Sequence, residues 1–284
     1  AGCDCLRTGC VLGPESWSGA GIELAIQQGV VMNTEQSVIA ITGAGGGLGA
    51  AMARRFAAKG ARLALLDYRA DTLEELASSL DTAEEKKLLL PCDVRSEADV
   101  DTAFAKIAEH FGRLDVLVNN AGITRDALTL KFRDGDIVSR MSLEDWQAVI
   151  DVNLTGVFLC GRAAAEQMLR AGNAGLIINI SSISRAGNMG QVNYSASKAG
   201  VAAMTVAWSR EFARYGIRVN TISPGFIGTE MVRSMKPEAL AKLSAMIPVG
   251  RIGNPDEIAH AVEFLVENDY VNGRNIEVDG ALRL

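Results

Sequence analysis

The sequence predicts a single α/β domain in which a parallel sheet carries helices on both faces, spanning residues 32–284. Three observations lead there. Short runs that are apolar on both faces recur along the chain, as strands buried on two sides must be. Segments with apolar residues at helical spacing separate those runs. No Pro- or Ser-rich linker divides the alternation, and 284 residues of which 48 % are hydrophobic can build one large core.

The elements follow in order. SVIAIT (37–42) is the first strand, and LGAAMARRFAAKG after it carries a helical apolar stripe. RLALLD (62–67) is a second buried strand, followed by a helix near Thr72 to Leu80. KLLLPCDV (87–94) is a third, and Ser96 with Asp99 resembles a capping box opening a helix through His110. LDVLVNNAG (114–122) is a fourth. The insert LKFRDGDIVSRM (130–141) predicts a short β-hairpin, because Asp134-Gly135 suits a two-residue type I′ turn. That hairpin is expected over the mouth of the cleft. Ser142 caps a long helix with apolar positions at Trp146, Ile150 and Phe158. GLIINISS (175–182), a helix from Tyr194 to Tyr215, IRVNTISP (217–224) and NIEVDG (275–280) complete the series.

Composition narrows the function. The net charge is −6, the pI near 5.1, and no Lys/Arg block occurs, which argues against a nucleic-acid partner. No uninterrupted apolar run approaches the ~18 residues of a membrane span. His110 and His260 stand apart, in no metal-ligand spacing, and both are expected on helix surfaces. Cys92 and Cys160 lie alone in apolar stretches, and with an odd total of five cysteines they point to a reducing, cytoplasmic compartment. Residues 1–31 lack a basic n-region and an apolar h-region. They are expected to be a disordered or non-native extension, with Met32 the natural start. Cys3, Cys5 and Cys10 have no fourth ligand to make a metal site, so no metal is expected.

Five glycines between Gly43 and Gly49 occupy the first strand-to-helix turn. Bare backbone there permits a tight turn and close approach to a dinucleotide pyrophosphate, with the helix N-terminus behind it supplying N–H donors. Asp67 ends the second strand 67 − 49 = 18 residues after the last of them, where a carboxylate can accept from ribose hydroxyls and repel a 2′-phosphate. Tyr194 and Lys198 are four apart at the start of a helix and therefore share a face. A neighbouring ammonium favours the phenolate and would lower a tyrosine pKa from its usual ~10.

TGAGGGLG (42–49), Asp93-Val94, NNAG (119–122), Asn153 in VNL, NISS (179–182), YSASK (194–198) and PGFIGT (224–229) occur in the order of the short-chain dehydrogenase/reductase family, which the chain resembles from Val38 onward. The resemblance implies a seven-stranded Rossmann sheet and an Asn153, Ser182, Tyr194, Lys198 tetrad. Tyr194 would be the proton donor in reduction, Ser182 would hold the carbonyl oxygen, Lys198 would bind the nicotinamide ribose, and Asn153 would hold a water through its backbone. The family's spacing of thirteen from serine to tyrosine fits Ser181, whereas the second serine of NISS is Ser182; Ser182 is preferred and Ser181 stays open. The implied cofactor contacts are Thr42, Gly43, Gly47, Leu48, Gly49, Asp67, Asp93 (to the adenine amino group), Val94, Asn120, Ala121, Gly122, Pro224, Gly225, Ile227 and Thr229, beside Tyr194 and Lys198.

Within the family, ITRD (123–126) and GIRVNTISPGFIGTEM resemble the 3-oxoacyl-[acyl-carrier-protein] reductases. Those typically use NADPH and carry an arginine where Gly46 stands, without an acid at Asp67, so NAD(H) is expected here ahead of NADP(H). The expected reaction is reduction of a 3-oxoacyl thioester on acyl carrier protein or CoA. The alternatives are another secondary alcohol (sugar, polyol or steroid-like) or a non-catalytic dinucleotide sensor, which an intact tetrad argues against. The resemblance also implies a homotetramer formed through the helices that begin near Ser142 and Tyr194, with Val157, Ala165, Ala203 and Val206 serving core or interface.

Overall fold

The computed structural model describes residues 32–234 and 236–284, so the expectations for residues 1–31 fall outside the described residues. Strands β1 (Val38–Thr42), β2 (Arg62–Asp67), β3 (Lys87–Pro91), β4 (Val116–Asn119), β7 (Gly175–Ile180), β8 (Ile217–Pro224) and β9 (Asn275–Val278) form one seven-stranded sheet in the order β3-β2-β1-β4-β7-β8-β9. Every pairing is parallel. The fold class expected from alternation is the fold observed.

Period-two geometry explains how the apolar runs feed both faces. Along β1, Ile39 and Ile41 join one core, with Met52 and Phe56 of helix α1 (Gly47–Ala58) and Leu73 of α2 (Ala70–Ser79). Val38 and Ala40 face the other core, with Phe104 and Ile107 of α3 (Glu97–Phe111). These four β1 residues are fully buried, and the larger side chains Val38, Ile39 and Ile41 contribute about 1.5–3 kcal/mol each on burial.

The long helix capped by Ser142 comprises α4 (Leu143–Ile150), a π-helical segment Asp151–Thr155, and α5 (Gly156–Ala171). Together its 29 residues are long and apolar enough to cross a bilayer, although scattered polar residues interrupt the apolar stretch. It serves as a core helix instead: Cys160, Ala164 and Met168 are fully buried against the sheet. Helix α6 (Val192–Glu211) starts two residues before Tyr194 and ends at Glu211; a single 3₁₀ turn carries the chain to Gly216 in the left-handed region.

Beyond α6 lie α7 (Glu230–Arg233), α8 (Pro237–Met246) and α9 (Pro255–Glu267). The hydrophobic pattern read from the sequence had not assigned α9. Its signal is in Asn254-Pro255-Asp256-Glu257, a reciprocal capping box with proline in the first turn. Ile258, Val262 and Leu265 of α9 pack beside α1, and Arg55 of α1 pairs with both Asp256 and Glu263.

The insert is the expected hairpin. β5 (Leu130–Arg133) pairs antiparallel with β6 (Asp136–Arg140), and Asp134 and Gly135 have φ of 53° and 86°, the positive pair a type I′ turn requires. It does not cover the cleft, however. Residues 130–140 are exposed and none of them lines the cavity that holds Tyr194; that cavity is lined instead by the preceding segment, Ile123 to Arg125.

Gly49 shows why the first turn is glycine-rich. A Cβ there would stand 2.1 Å from the Gly43 carbonyl oxygen and 2.8 Å from Ala44 Cα, both backbone atoms that cannot yield cheaply. Gly46, by contrast, has open space around it and an extended φ of −164°. Gly49→Ala should therefore cost about 1–3 kcal/mol, lowering Tm by roughly 2–10 °C, while Gly46→Ala stays near wild type. Indistinguishable melting curves for the two variants would refute this account of the turn.

Candidate active site

The chain leaves β1 toward β2 and β3 on one side and returns to β4 on the other, which opens a crevice at the carboxyl ends of β1 and β4. Asn120 spans it. Its side-chain amide donates to the carbonyls of Thr42 and Gly43, each at 3.0 Å, while the backbone N–H groups of Asn120 and Ala121 donate to Thr42 Oγ1. These bonds end β4 at Asn119, short of the expected strand.

Past Gly122 the chain is held by Asn153. Its Oδ1 accepts from the Ile123 N–H at 2.8 Å and its Nδ2 donates to the Ile123 carbonyl at 2.9 Å. Asn153 is fully buried and lies in the π segment, which places its side chain on the β4 loop instead of against the next turn of helix. Asn193 fixes the same loop from α6, donating to the Arg125 carbonyl and accepting from Tyr194 N–H.

Lys198 is buried and donates to the Ile180 carbonyl at 2.7 Å. Burial lowers its pKa to about 8, so it stays mostly protonated at neutral pH. Its ammonium lies 5.6 Å from the centre of the Tyr194 ring. Burial also dominates Tyr194 and raises its pKa; the hydrogen bond with Ser182 acts the other way, and Asp126 adds to the rise. The lowering expected from Lys198 does not emerge in the free protein, where desolvation of the phenol governs.

The two serines part company. The Ser182 hydroxyl lies close enough to Tyr194 to favour its phenolate, and its Oγ accepts from Ser184 N–H. Ser181 is buried and donates to the Lys198 backbone carbonyl at 2.8 Å, facing helix α6.

One cavity of about 570 Å³ brings together Ser181, Ser182, Tyr194 and Lys198 with Leu48, Asn120, Gly122, Pro224, Gly225, Ile227 and Thr229. A second, of about 800 Å³, runs along Gly45 to Gly47 past Arg54 and Arg69 and shares Thr229 with the first. Thr42, Gly43, Gly49 and Ala121 line neither: they frame the cleft from below, with the Thr42 hydroxyl occupied by backbone donors. Asp93 and Val94 also stand outside both. Asp93 is paired with Arg95, which holds its pKa below the usual carboxylate value, and Val94 packs on Gly156.

Asp67 lines neither cavity but is bonded to residues of the second, its Oδ2 accepting from Gly45 N–H at 2.9 Å and its Oδ1 from Arg69 N–H at 3.0 Å. A cradle of backbone at Gly45 to Gly47, an anchored carboxylate beside it and a proton-bearing pair at the far end suit a dinucleotide. Among the described residues no cluster of His, Cys, Asp or Glu could hold a metal. Cys92 and Cys160 are buried free thiols; burial pushes Cys92 to about 11 and Cys160 higher still.

Sequence reading missed Gln191. Its side chain accepts from Ser184 Oγ and Asn188 Nδ2 and donates to Asp126, tying three loops around the cavity. Such a role has no local signature, because its partners are distant in the chain.

The class of protein now follows from the fold and these residues together: the chain belongs to the short-chain dehydrogenase/reductase family of oxidoreductases. Residues 43–282 match the family model described as enoyl-(acyl carrier protein) reductase. The chain is 41 % identical over 254 residues to 3-oxoacyl-[acyl-carrier-protein] reductase FabG of Thermotoga maritima, covering 88 % of this chain and 99 % of that one. It is 42 % identical over 253 residues to (3R)-3-hydroxyacyl-CoA dehydrogenase of Mus musculus, covering 85 % and 94 %. A crystal structure of a short chain dehydrogenase from Bacillus anthracis superposes with a TM-score of 0.79 at 32 % identity, over 89 % of this chain and 98 % of that one. Relatives at this level are named as reductases or dehydrogenases, and this chain is an enzyme of that kind.

Because the Ser182 hydroxyl acts on the Tyr194 phenol while the Ser181 hydroxyl is spent on the Lys198 carbonyl, Ser182→Ala should lower kcat/KM by about 10²–10³, the usual loss of one oxyanion donor, and Ser181→Ala by less than about tenfold on the same scale. Steady-state kinetics of both variants decide the matter, and the reverse ranking would transfer the role to Ser181.

Proposed function

We propose that this enzyme reduces a 3-oxoacyl thioester, carried on acyl carrier protein or CoA, to the 3-hydroxy compound with NADH. The observation that carries the reading is that Ser182, Tyr194 and Lys198 converge in one cavity walled by Ile183, Phe226 and Ile227. The cavity combines these hydroxyl and ammonium groups with an apolar wall of Ile183, Phe226, Ile227, Val232 and Leu284, a combination suited to a carbonyl on an acyl chain. The names of the bacterial and mouse relatives, one a 3-oxoacyl reductase and the other a 3-hydroxyacyl dehydrogenase, describe the two directions of one reaction.

When bound, a nicotinamide dinucleotide supplies the hydride. The residues that would hold it are Gly45 to Gly47 at the pyrophosphate, Asp67 at the adenosine ribose, Asn120 and Gly122 along the crevice, Ile227 and Thr229 at the carboxamide, and Lys198 at the nicotinamide ribose. We keep Asp93 as the partner of the adenine amino group. Ser182 donates to the substrate oxygen and fixes the carbonyl beside Tyr194. Tyr194 delivers its hydroxyl proton to that oxygen as the carbon is reduced. Lys198, protonated below its pKa of about 8, holds positive charge near the resulting phenolate and returns a proton to it. The Asn153 backbone in the π segment holds the water that links Lys198 to solvent.

We assign the enzyme to the cytoplasm and to a homotetramer. Phe158 and Val206, 42 % and 43 % exposed on α5 and α6, and the exposed Ala203 suit contact between copies. Val157 and Ala165 are core residues instead.

Asp67 carries the cofactor assignment. Two backbone N–H groups lock its carboxylate beside the glycine turn, where a 2′-phosphate would meet a fixed negative charge. Such an unpaired contact costs several kcal/mol, and each ~1.4 kcal/mol is tenfold. NADH should therefore exceed NADPH by at least ~100-fold in kcat/KM. Asp67→Ser combined with Gly46→Arg should narrow or invert the preference, since Gly46 has room for a side chain. Equal values in the wild type, or a preference for NADPH, would mean that Arg54 and Arg69 outweigh Asp67.

A panel of 3-oxoacyl thioesters, sugars, polyols and sterols tests the reaction, with turnover of thioesters expected to lead. Tyr194→Phe should abolish nearly all of that turnover while NADH binding, read by fluorescence, is kept. A variant retaining a tenth of the rate would remove Tyr194 from the proton transfer, and a wild type inactive on thioesters would remove the substrate assignment.

A further inference from the structure

The segment after β9 returns to the active-site cavity, and nothing in the proposed chemistry uses it. Gly280 and Ala281 have φ of 64° and 69°, both in the left-handed region, which a non-glycine residue such as Ala281 rarely adopts. The turn is fastened at each step. Asp279 accepts from Ala281 N–H through its side chain and from Leu282 N–H through its carbonyl. Leu282 is then buried in a small cluster with Ile183 and Ile247, against Phe226 and Ile252. Two members of that cluster, Ile183 and Phe226, are themselves cavity wall.

An ion-pair ladder holds the outer side. Arg185, three residues after Ser182, pairs with Glu277 at 2.5 Å. Glu277 also pairs with Arg283 at 3.2 Å, and Arg283 reaches Asp279 at 2.6 Å. The loop carrying Ser182 and the segment 279–284 are therefore joined through one carboxylate on β9. What this arrangement delivers to the cavity is Leu284, which lines it beside Ile183, Phe226 and Val232.

We infer that Leu284 is a specificity-determining residue that forms the apolar end wall of the acyl site, and that Glu277 is the positioning residue that sets it there. The inference rests on the thioester reading above and deepens it: the substrate is an acyl chain whose length is limited by this wall. Leu284 is 45 % exposed in the free protein, so part of its surface remains for a ligand to cover. The chemistry needs no group at this position, which is why the effect belongs to KM and leaves kcat alone.

The test is a chain-length profile. Wild type, Leu284→Ala, Leu284→Trp and Glu277→Gln are assayed with NADH on straight-chain 3-oxoacyl thioesters of four to twelve carbons, with Tm and NADH binding measured on each. Leu284→Ala is expected to shift the ratio of kcat/KM between the longest and shortest chains by at least fivefold toward the longest, and Leu284→Trp by a similar factor the other way. Both shifts should lie in KM. Glu277→Gln should blur the profile in the direction of Leu284→Ala, with kcat on the four-carbon substrate within twofold of wild type. Profiles that superpose within twofold in folded, NADH-binding variants would overturn the inference while leaving the proposed reaction standing. A wild type inactive on every thioester removes the proposed reaction instead. The same profile is then read on straight-chain α-diketones of four to ten carbons, where a shift still supports Leu284 as the wall; superposing profiles, or turnover of neither series, overturn it.

Discussion

The width of the crevice between β1 and β4 governs everything placed around it, and the Asn120 side chain sets that width. By donating to two successive carbonyls of the glycine turn, it satisfies acceptors that the turn has pulled out of the sheet ladder. The turn can then remain open to a ligand without leaving buried groups unpaired. The same residue fixes where β4 stops, and so where Gly122 passes Lys198 and Asn153. A shift of one residue in this register would move the glycine turn against the proton-bearing cluster.

Behind the crevice the sheet carries polar side chains where an apolar core would have been simpler. Asn119 of β4 donates to Asn179 of β7, Asn179 donates to Thr205 of α6, and Thr221 of β8 donates to the same Thr205 hydroxyl. Each is buried. Apolar packing tolerates sliding of a helix over a sheet, whereas a chain of hydrogen bonds in a low-dielectric interior has one register. Helix α6 supplies Tyr194 and Lys198 two or three turns above Thr205, so this chain limits how far the two can drift from Ser182. The geometry needed at the substrate is thus secured some distance from it.

How legible this was in the sequence depended on whether the signal was local. The strands were plain because a strand buried on both faces must be apolar through its middle, as VIAI and LALL are within VIAIT and RLALLD, whatever surrounds it. Turn chemistry was equally local at Asp134-Gly135. Strand ends were less clear: Cys92 to Val94 continue an apolar pattern after the ladder with β2 has ended at Pro91. Helix α9 was overlooked although its cap was written in four consecutive residues. In the site, residues with a characteristic spacing, such as Tyr194 and Lys198, were identifiable. The sorting of Ser182 from Ser181 was not, since it depends on which way two adjacent side chains leave the end of β7. Gln191 and Leu284 reach the cavity only through the meeting of segments far apart in the chain, and no periodicity records that.

The hairpin β5–β6 leaves and rejoins the body of the protein at one point, where Met141 N–H meets the Thr129 carbonyl at 3.2 Å. Its two ends are therefore already neighbours, and every hydrogen bond of its own ladder is closed within it. Such a piece is modular in the literal sense: it can be lengthened, shortened or exchanged without moving the register of any strand in the main sheet. Evolution gains a place to vary the surroundings of the cleft entrance, next to the Ile123–Arg125 rim, at no risk to the crevice itself. The catalytic frame and its outer decoration can change at different rates.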